Sequence, residues 1–173
     1  YYPERKLIVV PTTALVHQMA SDFEDYGYQD DVHKITAGAD KNTDAEITVT
    51  TWQSIYKMPK SWFNQYKVVI GDEAHLFKSK SLESIMKKLT DCPYRFGFTG
   101  TLDGTLTHRL VLEGLFGPVE KVTTTSDLID SDHLAKFKIN IITLKYSDQT
   151  CNLLRRAKYQ DEIDFLVRND ARN

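Results

Sequence analysis

The residue pattern predicts an α/β fold, a parallel sheet with helices on both faces. Three observations carry that reading. Short β-branched runs recur along the chain; segments of helical apolar spacing lie between them; and each polar cluster follows the end of such a run. Strands apolar on both faces and separated by helices belong to a parallel sheet covered on both sides. In such sheets ligands sit beyond the carboxyl ends of the strands.

Taken in order, Lys6-Leu7-Ile8-Val9-Val10 predicts a buried strand. After Pro11-Thr12-Thr13, the residues Leu15, Val16, Met19 and Phe23 fall at helical spacing. Residues 27–46 are polar and carry no strong period, which predicts a connection or an edge element and nothing more. Ile47-Thr48-Val49-Thr50 and Lys67-Val68-Val69-Ile70 predict the second and third strands, with Gly71-Asp72 just past the latter. Leu82, Ile85, Met86 and Leu89 mark one face of a helix, Arg95-Phe96-Gly97-Phe98 a fourth strand, and residues 106–115 another amphipathic helix. After Gly117-Pro118 the character changes. Thr123-Thr124-Thr125-Ser126 leads into a short helical stretch, and residues 137–142 alternate as a strand should. Residues 146–173 are charged, with Leu153, Leu154, Ile163, Phe165, Leu166 and Val167 as apolar content, and predict a linker entering a helix.

Composition excludes several classes. With 22 Lys+Arg against 24 Asp+Glu the formal net charge is −2, so the chain is no histone-like electrostatic binder. A nucleic-acid groove built from amides, hydroxyls and a few lysines stays open. Hydrophobic residues at 41% argue against a disordered chain. The longest apolar run, Leu7-Ile8-Val9-Val10, is far short of the roughly 18 residues of a membrane span. The opening residues lack the basic and apolar stretches of a secretory signal. Cys92 and Cys151 are far apart and predict two unpaired thiols in a reducing compartment, the cytoplasm. The first residue is Tyr1 and an apolar strand comes at once, so the expectation is a cut piece of something longer.

The sharpest chemical signal is Val68-Val69-Ile70-Gly71-Asp72-Glu73-Ala74-His75. A carboxylate pair at the end of a buried strand suits nucleotide hydrolysis: Asp72 can hold the Mg²⁺ that bridges the phosphates, through water, and Glu73 can orient the attacking water. His75 can couple the phosphate region to a neighbouring segment. A second cluster, Thr99-Gly100-Thr101, follows the next strand; alone it is ordinary turn chemistry, but one βα unit after the acid pair it fits a relay. A third, Pro11-Thr12-Thr13-Ala14-Leu15, opens a helix, where a threonine either simply caps the helix or leaves amides free for a phosphate. The fourth, Thr50-Thr51-Trp52-Gln53-Ser54, either contacts a sugar-phosphate backbone or uses Trp52 for packing.

Taken along the chain, residues 11–15, 50–54, 72–75 and 99–101 resemble, as motifs Ia, Ib, II and III, the first RecA-like motor domain of superfamily 2 helicases of the DEAH-box type. Within that superfamily the chain is similar to the UvsW-type recombination DNA helicases of T4-like bacteriophages. The carriers are residues 11–26, 51–55, 62–76, 95–104 and 114–129. Restriction-enzyme motor subunits and repair helicases share much of the pattern. The resemblance implies two RecA-like domains that close on ATP and Mg²⁺ and step along DNA. It implies catalytic roles for Asp72, Glu73 and His75, with Mg²⁺ on Asp72, coupling through Thr99, Gly100 and Thr101, and a DNA track along Pro11, Thr12, Thr13, Thr51, Trp52 and Gln53. It further implies action on single-stranded or branched DNA, or RNA in hybrids, in recombination, repair and replication, in a host cell's cytoplasm and without a membrane.

A motor of this kind also needs a Gly-rich loop ending in Gly-Lys-Ser or Gly-Lys-Thr. None of the eight glycines is followed by Lys-Ser or Lys-Thr. Family order puts that loop upstream of Tyr1 and the arginine motifs of the second domain downstream of Asn173. The expectation is therefore a first RecA-like domain, truncated at its N-terminus, over residues 1–134. Residues 135–173 would supply a closing strand, a linker and the start of the second domain. Alone, such a chain should hydrolyse almost no ATP. The other readings are a truncated, non-catalytic DNA-binding module and the motor part of a restriction-type enzyme.

Overall fold

The computed structural model describes residues 4–102, 106–135, 140–141 and 143–169, apart from the side chains of residues 78, 106 and 107. Five strands, β1 (Lys6–Val10), β2 (Val32–Ile35), β3 (Ile47–Thr51), β4 (Val68–Gly71) and β5 (Tyr94–Gly97), form one sheet in the order β2-β3-β1-β4-β5. Every pairing is parallel. The most continuously apolar run, β1, takes the central place, where both faces must be covered.

Because successive strand residues point to opposite faces, β1 feeds two cores. Ile8 and Val10 pack with Val32, Ile47 and Val49 under helix α1 (Thr13–Asp25), which contributes Val16 and Ala20. Leu7 and Val9 face the other way. There they meet short helices α2 (Trp52–Ile55) and α3 (Lys60–Phe63), a 3-10 turn (Ala74–Lys78), α4 (Lys80–Lys88) and α5 (Leu106–Phe116), through Ile55, Phe63, Phe77, Ile85 and Leu112. The alternating Ile47-Thr48-Val49-Thr50 is nonetheless buried on both faces. Each hydroxyl is satisfied: Tyr66 Oη donates to Thr48 Oγ1 at 3.1 Å, and Thr50 Oγ1 donates to the Ile35 carbonyl at 3.1 Å. A buried hydroxyl with a partner costs little, which is why threonine fits an interior strand.

The predicted strands and helices recur with ends shifted by a residue or two. The region 27–46 holds the edge strand β2, whose Val-His-Lys-Ile buries only its first and last residues. Two features have no counterpart in the apolar pattern. Helices α2 and α3 are single turns, too short for a period, and helix α7 (Asp148–Leu154) lies inside the stretch expected to be linker. It is started by Ser147, whose hydroxyl accepts the Thr150 amide. Helices α6 (Thr125–Asp130) and α8 (Tyr159–Val167) match the two helical expectations of that half, and Thr124 with Asp127 caps α6 reciprocally. The expected strand at 137–142 lies, apart from residues 140 and 141, outside the described residues. The chain divides into two compact units, 1–121 and 122–173.

Candidate functional site

Parallel register brings the strand ends together. Val9 of β1 lies opposite Gly71 of β4, and Gly71 opposite Gly97 of β5. Three backbone bonds then tie the turn after β4 to the strands beside it. The Asp72 amide donates to the Val9 carbonyl at 3.0 Å, the Phe98 amide to Gly71 at 2.9 Å, and the Ala74 amide to Phe98 at 2.8 Å. Between them Glu73 adopts a left-handed backbone, φ 49° and ψ 53°. For a residue with a Cβ that costs about 1–2 kcal/mol. The flanking bonds hold the acid turn in it.

The two paired glycines let this turn sit close. A Cβ on Gly71 would lie 2.7 Å from the Phe77 ring and 3.1 Å from Phe116; one on Gly97 would lie 2.9 Å from Ala74 Cβ and 3.1 Å from Phe116. Phe77 and Phe116 meet edge-on at 5.1 Å. The turn is thus seated on aromatic rings that only glycine strand ends admit, a role visible in no motif.

The Asp72 carboxylate accepts the Glu73 amide at 3.0 Å. Glu73 Oε2 lies 3.2 Å from His75 Nδ1, and His75 Nδ1 lies 2.8 Å from Thr99 Oγ1. Thr99 has one hydroxyl proton and several partners. It accepts the Thr101 amide at 3.3 Å and lies 2.9 Å from the Thr101 carbonyl. All are satisfied when the Thr99 proton goes to that carbonyl and His75 carries its proton on Nδ1, shared between Thr99 and the Glu73 carboxylate. The structure therefore brings Asp72, Glu73, His75, Thr99 and Thr101 into one hydrogen-bonded cluster; Gly100 spans the turn between the threonines with open space where a Cβ would be. Among the described residues no group of three or more His, Cys, Asp or Glu could cage a metal ion. One or two carboxylates suit Mg²⁺, which keeps waters and takes further oxygens from a bound phosphate.

Beside this cluster an open groove of about 420 Å³ runs along the ends of β1, β2 and β3. Its walls include Pro11, Thr12, Thr13, Thr51, Gln53 and Ser54. Thr12 caps α1, its hydroxyl accepting the Leu15 amide at 3.3 Å. Helix geometry leaves the first-turn amides of Thr13 and Ala14 without intrahelical acceptors. Thr51 Oγ1 pairs with Ser54 Oγ at 3.0 Å. Trp52 departs from the rest of the expected track. Half-buried, its indole packs against the larger core and meets Tyr56 edge-on at 5.9 Å. Ala37, past β2, also lines the groove, and a sequence region without a period could not announce it.

The family described as "Type III restriction enzyme, res subunit" matches residues 1–104. The chain is 39% identical over 178 residues to the ATP-dependent DNA helicase uvsW of Enterobacteria phage T4, covering 99% of this chain and 36% of that protein. It is 29% identical over 143 residues to the DNA 3'-5' translocase XPB2 of Sulfurisphaera tokodaii, covering 83% and 31%. A crystal structure of T4 UvsW superposes with a TM-score of 0.61 at 39% identity, covering 95% of this chain and 33% of that one. The chain thus spans about a third of the length of the curated relatives it matches.

Proposed function

The chain belongs to the type III restriction enzyme res-subunit family and carries the RecA-like parallel sheet of superfamily 2 helicases, and on that premise we propose that it forms part of an ATP-driven DNA helicase or translocase. The observation that carries the reading is the acid turn hydrogen-bonded to Thr99, at the same sheet edge as a hydroxyl-lined groove.

In this reading Asp72 would hold Mg²⁺, which would supply positive charge against the phosphates of a bound nucleotide. Glu73 orients the attacking water, and its left-handed backbone sets the carboxylate's direction. His75, with Thr99, Gly100 and Thr101, links that carboxylate to the strand next door. The groove residues Pro11, Thr12, Thr13, Thr51 and Gln53, joined by Ser54, contact the sugar-phosphate backbone through hydroxyls, amides and a side-chain amide. That chemistry serves single-stranded or branched DNA, and RNA in hybrids. Among the 173 residues no glycine is followed by Lys-Ser or Lys-Thr, so in this reading the phosphate cradle is not assigned to them. Residues 135–173 we assign to a closing strand, a linker and the entry to a second RecA-like domain. No helix among the described residues is long and apolar enough to cross a membrane, and we place the protein's work in the cytoplasm of a host cell.

The test is Asp72→Asn and Glu73→Gln in the longer protein. Each should lower DNA-stimulated ATP turnover by at least about a hundredfold while leaving DNA binding intact. Wild-type turnover in Asp72→Asn would remove the Mg²⁺ assignment. DNA binding by a protein that never turns over ATP would leave a binding module instead.

A further inference from the structure

Thr51, Gln53 and Ser54 line the groove, yet Trp52, between them, turns inward. It walls a narrow apolar crevice of about 10 Å³ together with Pro11, Asp72, Leu76, Phe77 and Leu82. Three of these, Asp72, Leu76 and Phe77, belong to the acid turn or the 3-10 turn after it. Pro11 borders both the crevice and the groove. Helix α2 is a single turn with no side-chain cap bond, so tertiary contacts set its position. These are the fully buried Ile55, the indole of Trp52, and Lys88, whose ammonium donates to the Tyr56 and Met58 carbonyls at 2.6 and 3.0 Å.

We infer that Trp52 is a positioning residue that couples the groove to the acid turn. A closely packed interior transmits displacement because it has no slack to absorb it. A ligand that shifts Gln53 carries the adjacent indole with it, and the core that Trp52 packs against passes the shift through Phe77, 1% exposed and seated on Gly71, to the acid turn. The inference rests on the reading of the groove as a nucleic-acid track, and it removes Trp52 from the residues that would stack on bases.

The experiment is hydrogen exchange on the 173-residue chain, alone and with a single-stranded thymidine oligonucleotide. Trp52→Leu keeps an apolar side chain so that the fold survives, and Trp52→Phe keeps an aromatic one. In the free chain Trp52→Leu should speed exchange at residues 72–77 by about tenfold, with β2 and α1 unchanged, and Trp52→Phe should restore it to within about twofold. No acceleration, or one spread evenly over the whole unit, overturns the coupling. With oligonucleotide, the wild-type change in exchange at 72–77 should vanish in Trp52→Leu while affinity moves less than about threefold. An affinity loss above about tenfold with an undisturbed acid turn would make Trp52 a stacking residue and overturn the inference. Failure of the wild-type chain to bind oligonucleotide would count against the proposed track, while exchange in the free chain still decides the coupling.

Discussion

Replacing Gly71 by alanine tests the seating of the acid turn most directly. The new methyl would lie 2.7 Å and 2.9 Å from two atoms of the Phe77 ring and 3.1 Å from Phe116. Ordinary carbon contacts begin near 3.5 Å, so Phe77 must retreat by most of an ångström. It is 1% exposed and edge-on against Phe116, and the crevice of about 10 Å³ beside it leaves the ring little room to retreat. Overpacking of this kind costs about 1–3 kcal/mol, and the double clash puts Gly71→Ala at about 2 kcal/mol. Urea unfolding followed by the fluorescence of Trp52 and Trp62 should show the midpoint falling by about 1 M. Phe77→Leu in the same chain should recover at least about 1 kcal/mol of the loss, a non-additivity that distance alone would not produce. Gly114→Ala is the control of opposite sign. Gly114 lies within α5 with nothing within 4 Å of a built Cβ, so alanine there should stabilise by about 0.5–1 kcal/mol. An unchanged midpoint in Gly71→Ala, or strict additivity with Phe77→Leu, would refute the seating.

Two further predictions concern buried titratable groups. Burial pushes the Tyr66 hydroxyl above its ordinary value of 10.0, against the opposing hydrogen bond to Thr48. Above pH 10 the unfolded chain therefore loses this proton before the folded one, and stability falls as pH rises; Tyr66→Phe should flatten that alkaline loss in denaturation series from pH 8 to 11. The same variant strips Thr48 of its buried donor and should cost about 1–2 kcal/mol at neutral pH. Burial likewise raises the Cys92 thiol, against the nearby Arg95, whereas Cys151 is exposed. A thiol reagent at pH 8 should label Cys151 promptly and Cys92 only under denaturant; equal rates would contradict the burial of Cys92.

Much of the sheet was legible because it rests on local signals. Four apolar runs and the helical spacing of Leu82, Ile85, Met86 and Leu89 each say what they are without reference to the rest of the chain. The candidate site was legible as chemistry, since Asp72-Glu73-Ala74-His75 and Thr99-Gly100-Thr101 are contiguous strings at strand ends. Ser147, starting α7, was passed over because a cap within a charged stretch carries no apolar period. Edge strand β2 escaped a firm assignment because its Val and Ile are three apart, a spacing that serves a helix as well as a strand. Trp52 could not be placed from its neighbours: Thr51 and Gln53 share its motif, but a single helical turn sends adjacent side chains to different faces.

Local pattern thus sets most of the element types and the parallel sheet, and it points to the candidate site residues, because propensity, period and turn chemistry act over a few residues. Strand order is another matter. Only packing decides that β1 lies between β3 and β4, that Gly71 meets Gly97, and that Phe77 presses on Gly71 and Phe116 on both. The bond between His75 and Thr99, 24 residues apart, exists because parallel register sets the two strand ends side by side. Such contacts depend on which surfaces exclude water together, a property of the whole assembled sheet that no short stretch of residues contains.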